Sequence, residues 1–145
     1  MALMSLTHLV NEAEDPYIKL ANETVRTRYT ALMNALNLPA DNGSNNAQYY
    51  ALVDVMRIIK ERYDGKFAEW VGQTRTEVDF LNDLAEKKGV VLMYGPGFNA
   101  PAGTVRISLA NLNEDDYVEI ARRLFELLDD YHAEYETQSQ LDKAA

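Results

Sequence analysis

Cysteine is missing from all 145 residues, which excludes disulfides and thiolate metal sites. Histidine is nearly as scarce. His8 and His132 lie far apart, and neither has a ligand partner at metal spacing, so neither a metal centre nor a serine–histidine–acid triad is expected. No apolar run approaches the length of about eighteen residues that a membrane helix needs, so no membrane association is expected. Positive charge is short as well: 14 Lys and Arg stand against 23 Asp and Glu, and a net charge of -9 repels phosphate backbones and argues against a nucleic-acid partner. Met1 to Leu6 carries no basic lead-in and no cleavage signal, so no secretory leader is expected and the cytoplasm is the expected compartment.

What is present is a globular mixture, 47% hydrophobic and 26% charged, of a size that suits one domain over 1–145. Residues 136–145 form a polar tail expected to fray. Leu3, Leu6, Leu9, Val10 and Ala13 recur at helical spacing, and this apolar face at the first turn expects something to cover it. Asp15-Pro16 marks a restart, with Asp15 as cap and Pro16 at the first helical position; Leu20, Ala21, Val25, Leu32, Met33 and Leu36 supply the stripe. A loop over 41–46 precedes an aromatic and β-branched strand from Tyr49 to Val55. Between Arg57 and Gly72 the pattern suggests a helical excursion broken near Asp64-Gly65.

Thr74 and Glu77 have the spacing of a capping box ahead of a helix bearing Val78, Leu81, Leu84 and Ala85, with Gly89 as its C-terminal cap. A short strand over Val90 to Tyr94, a glycine–proline loop from Gly95 to Gly103 and a third strand from Thr104 to Leu109 follow. The last helix is capped by Asn113, begins Glu114-Asp115-Asp116, and buries Tyr117, Ile120, Ala121, Leu124, Leu128 and Tyr131. The expected fold class is α/β, a small three-stranded sheet packed with helices.

The third strand carries the most chemistry. Period two sends Val105, Ile107 and Leu109 to the core and turns Arg106 and Ser108 to the other face, where an arginine fork can hold a carboxylate. On the pattern alone, a solvated arginine or a structural ion pair is the stronger reading. The Gly95–Gly103 loop lacks phosphate-loop spacing, and Pro96 removes an amide donor, so it reads as a turn positioning Phe98. Asp115-Asp116 and Asp129-Asp130 read as solvated charge, and Trp70 with Phe67 and Tyr63 as a hydrophobic anchor.

The stretch Gly89 to Phe98, followed by Gly103 to Leu112, resembles the end of the fold-type-I aminotransferases. The run Arg106-Ile107-Ser108-Leu109-Ala110-Asn111-Leu112-Asn113-Glu114-Asp115-Asp116-Tyr117 is similar to bacterial aspartate 4-decarboxylases, as are Met1 to Leu6, Tyr49 to Asp54 and Tyr63 to Trp70. The last of these resembles an insertion that general aspartate aminotransferases lack. The resemblance implies a small C-terminal domain of such an enzyme, in which Arg106 binds the substrate α-carboxylate and Phe98 and Ser108 are neighbours of the site.

For the intact enzyme it implies pyridoxal phosphate as cofactor, L-aspartate as substrate, L-alanine and CO2 as products with transamination as a side reaction, and a homo-oligomer. The family holds its cofactor on a lysine in an S-x-x-K-like setting. Here the residues three beyond Ser5, Ser44, Ser108 and Ser139 are His8, Ala47, Asn111 and Asp142. No cofactor is therefore expected to be covalently bound to this chain, and no catalytic residue is assigned to it. It is expected to be inactive alone, as a piece of a longer chain or an independently encoded remnant. The small domain of an ordinary amino-acid aminotransferase, or a non-catalytic interaction module of the same fold, are the alternatives.

Overall fold

A computed structural model describes residues 15–41, 43 and 46–144. The stripe predicted over Leu3 to Ala13, and His8 with it, lies outside the described residues. Helix α1 spans Pro16–Ala35, with Pro16 in its first turn and the Asp15 carboxylate accepting from the Tyr17 amide at 2.7 Å. Its burial begins later than the periodicity predicts. Leu20 is 62% exposed, while Tyr29, Leu32, Met33 and Leu36 are buried.

Strand β1, Tyr50–Asp54, runs directly into α2, Val55–Arg62, and α3, Gly65–Thr74, follows it. The predicted break is real, and its cause is local. Asp64 leaves α2 in an extended conformation and accepts from the Phe67 amide, capping the next helix. α4 covers Glu77–Lys88. Its capping box is Thr76 with Asp79, two residues beyond the predicted Thr74 and Glu77. Thr74 is the last residue of α3, and its hydroxyl donates back to the Trp70 carbonyl, so it cannot begin a new helix. On α4 it is Phe80 and Leu84 that are buried, whereas Val78 is exposed.

Gly89 ends α4 at φ +67°, with its own amide bonded to the Ala85 carbonyl and that of Val90 to the Leu84 carbonyl. Leaving the helix in this way uses up Val90 to Leu92, so strand β2 is only Met93–Tyr94, shorter than predicted. Strand β3 is Thr104–Ser108, and α5 runs over Glu114–Ala144, through the polar segment beyond Tyr135.

β3 is central, antiparallel to both neighbours, in the order β1-β3-β2. Ala51, Val53, Val105 and Ile107 share the buried face and join the α5 stripe of Tyr117, Leu124, Leu127, Leu128 and Tyr131 in one core. Two ties fix the far end of β3. The Tyr117 hydroxyl donates to the Ser108 carbonyl at 3.0 Å, and Arg28 of α1 donates to the carbonyls of Leu109 and Ala110 at 3.0 Å each. The expected α/β class holds: five helices and a three-stranded antiparallel sheet among the described residues.

Candidate functional site at the open sheet face

The face of the sheet away from the core is exposed. Register places Leu52 and Met93 on either side of Arg106, and Tyr50 opposite Ser108. Strand alternation therefore puts all five side chains on one surface, as period two requires. An open antiparallel face is normally polar. This one is not: Tyr50, Leu52, Met93 and Phe98 are each between 41% and 53% exposed, and Arg106 is the cation among them.

Arg106 does not extend into bulk solvent. Its guanidinium carbon lies 3.6 Å from the Tyr50 ring centroid and 3.9 Å from that of Phe98. Such cation–π contacts are each worth about 0.5–1 kcal/mol at an exposed site. Stacking engages the flat face of the guanidinium and leaves its in-plane N–H donors directed toward any planar acceptor at the edge. Among the described residues no carboxylate pairs with Arg106, whereas Arg57, Arg62, Arg75, Arg122 and Arg123 all have acidic partners. Asp54, on the same face at the end of β1, is already engaged as the cap of α2, accepting from the Arg57 amide.

Phe98 reaches Arg106 because the loop before β3 is tightly built. Pro96–Phe98 forms a 3-10 turn, with the Phe98 amide bonded to the Gly95 carbonyl at 2.8 Å and Asn99 in the left-handed region. At the neck, the Gly95 amide bonds to the Thr104 carbonyl at 3.1 Å, and a Cβ at Gly95 would stand 2.4 Å from that oxygen. The loop thus serves as a turn that positions Phe98.

A concavity of about 470 Å3 opens beside this neck on the Val105 side, bounded by Met56, Phe80 and Gly103. Its charged rim is already paired: Arg75 binds both oxygens of Glu134 at 2.7 and 2.9 Å, and Glu77 accepts from the Gly103 amide. It offers no uncompensated charge to anchor a polar ligand, and the Arg106 face does.

The remaining sequence candidates are packing groups or surface charge. His132 stacks on Tyr63 at 4.9 Å and meets Phe67 edge-on, within a cluster that includes Trp70 and Tyr135 and joins α3 to α5. Burial, with a hydrogen bond to Asp129, pushes the Tyr63 phenol up to about 12. Asp129 and Asp130 are exposed on α5, and Asp130 pairs with Lys88 at 2.7 Å. Among the described residues no group of acids and histidines is arranged to hold a metal ion, and no helix is long and apolar enough to cross a membrane.

Tyr50 was not legible as part of this site. One signal was available for Tyr50. In Tyr50-Ala51-Leu52-Val53-Asp54 the alternation does not separate apolar from polar, which marks a strand whose outer face is also apolar.

No protein-family model matches the chain. It is 35% identical over 135 residues to the bifunctional aspartate aminotransferase and L-aspartate beta-decarboxylase of Pseudomonas sp, an alignment that takes in 93% of this chain and 25% of that protein. The chain spans about a quarter of the length of the curated relative it matches. Over that quarter, this chain is a relative of the bifunctional aspartate aminotransferase and L-aspartate beta-decarboxylase, in line with the resemblance carried by Arg106 to Tyr117.

Proposed function

We propose that this chain is the small C-terminal lobe of a pyridoxal-phosphate-dependent aspartate decarboxylase or aminotransferase, and that Arg106 binds the substrate α-carboxylate. The observation that carries this reading is a guanidinium stacked on Tyr50 and Phe98, without an acidic partner among the described residues, on an apolar sheet face. Preorientation matters here. An arginine already fixed by two rings loses less side-chain freedom on binding, and its fork accepts a carboxylate through two parallel hydrogen bonds. Leu52 and Met93 beside it lower the local polarity and strengthen that pairing.

The described residues do not fit the covalent hold on the cofactor. All six lysines lie on helices, and Lys87 and Lys88 are engaged with Asp83 and Asp130. The cofactor, which in such enzymes supplies the electron sink, is then held by another part of the intact enzyme. What this chain contributes is substrate orientation and cover for one side of the cleft. Under the same reading the intact enzyme is a cytoplasmic homo-oligomer that acts on L-aspartate, and the chain alone produces no alanine.

The test is a titration of the chain with L-aspartate, observed by NMR at the backbone amides of Leu52 and Met93, which flank Arg106. A guanidinium–carboxylate pair with no other partner gives a dissociation constant on the order of 1 mM or weaker. Arg106→Ala abolishes the response and Arg106→Lys, which lacks the fork, retains only part of it. n-Butylamine, an amine without an acid group, elicits none. A wild-type response unchanged in Arg106→Ala would overturn the assignment.

A further inference from the structure

We propose that Met93 is a redox-sensitive modification site, whose sulfoxide occupies the fork of Arg106 and closes the carboxylate site to substrate. The inference rests on the preceding reading of Arg106 for its functional meaning; the pairing of the two residues rests on the sheet. In the antiparallel register Met93 is the direct partner of Arg106. Directly opposed residues hold their Cβ atoms about 4.5–5.5 Å apart on one face, within reach of two long side chains. Met93 also lies on the short edge strand β2 and is 47% exposed. Met33 is buried and Met56 half-buried, so among the described methionines Met93 is the thioether most open to a dissolved oxidant.

The oxidant is a peroxide. A sulfur lone pair attacks one peroxide oxygen, and an S–O bond forms as the O–O bond breaks. The proton of the transferred oxygen leaves with the departing hydroxide as water. The thioether is thus oxidised by two electrons and the peroxide reduced by two, and an apolar side chain becomes a polar one that sulfoxide reductases can restore. The new oxygen is a hydrogen-bond acceptor opposite a guanidinium already stacked on Tyr50 and Phe98. The in-plane N–H donors are what remains to Arg106, and the sulfoxide oxygen competes with a carboxylate for them. Leu52, the neighbour on β1, has no atom that could do the same.

The test treats the 145-residue chain with graded hydrogen peroxide, maps the added oxygen by peptide mass spectrometry, and titrates the product with L-aspartate at the Leu52 amide. Met93 gains its oxygen before Met33 and Met56. Aspartate binding then weakens about fivefold, the factor by which one hydrogen bond of ordinary net strength holds the fork against a competitor. Met93→Leu, put through the same treatment, binds as before. Met93→Gln carries an acceptor oxygen on a chain of similar length and weakens binding with no oxidant present. Melting curves recorded in parallel show that each chain remains folded at the temperature of the titration, which separates an occupied fork from a damaged sheet.

Oxidised Met93 with unchanged aspartate affinity, or an equal loss of affinity in treated Met93→Leu, would overturn the proposal. A crystal structure of the peroxide-treated chain keeps this outcome apart from the carboxylate assignment. The sulfoxide oxygen lies within hydrogen-bond distance of an Arg106 nitrogen even if the untreated chain binds no aspartate; the assignment then falls and the contact at Met93 stands. A sulfoxide turned into solvent overturns it.

Discussion

Tyr117→Phe is a direct probe of how the fold holds the strand that carries the site. The ring is fully buried in the core, and its hydroxyl both donates to the Ser108 carbonyl at 3.0 Å and accepts from the Leu112 amide at 3.3 Å. One oxygen thus joins the end of β3 to the turn that begins α5. Phenylalanine keeps the ring and its packing, so the loss is confined to the two hydrogen bonds. Each contributes about 1 kcal/mol net, and more if a partner is left without water, which sums to about 1.5–3 kcal/mol. A chain of 145 residues has an unfolding entropy near 0.3 kcal/mol/K, so the midpoint should fall by roughly 5–10 °C. Thermal and urea unfolding followed by circular dichroism measure this, with an unchanged m-value showing that the denatured state is not altered. A change under about 0.5 kcal/mol would refute the view that this hydroxyl secures β3.

Other elements make separate predictions. Phe67→Ala, at a fully buried ring that packs against Trp70, Tyr63 and His132, should cost about 3–5 kcal/mol and loosen α3 from α5, seen as increased amide exchange in both. Thr76→Ala removes one half of the capping box of α4 and should cost about 1 kcal/mol by chemical denaturation. Alkaline pH should destabilise the fold through Tyr63. An unfolded tyrosine ionises near 10 and folded Tyr63 at about 12, so between these values the unfolded chain binds fewer protons and stability falls as pH rises. Below about pH 10 that contribution is fully present, and Tyr63→Phe should flatten the fall between pH 10 and 12 as measured by urea midpoints.

Much of the fold was legible because local rules and packing agree. The strand Thr104 to Ser108 shows its two faces by alternation alone, and α5 shows its stripe because Tyr117, Ile120, Leu124, Leu128 and Tyr131 recur at helical spacing. Gly89 announced a helix end that its φ of +67° confirms. The errors have specific causes. Thr74 and Glu77 satisfy the spacing of a capping box, but so do Thr76 and Asp79, and only the length of α3 decides between them. Leu20 fits the helical stripe of α1 yet is exposed, since periodicity marks a face without saying how far its partner extends.

At the site, Arg106 and Phe98 were singled out from sequence, and the structure brings them together. Tyr50 was not, because its place beside Arg106 depends on antiparallel pairing across more than fifty residues of chain, which no local pattern encodes.

Under the proposed reading, Arg106 presents its fork to an amino acid's acid group. A crystal structure of the chain grown in concentrated L-aspartate tests it most directly. The expected result is a carboxylate in the plane of the guanidinium, with both oxygens about 2.8 Å from its nitrogens and the Tyr50 and Phe98 stacking kept. Finding aspartate bound elsewhere, or Arg106 paired with an acid of the protein itself, would contradict it.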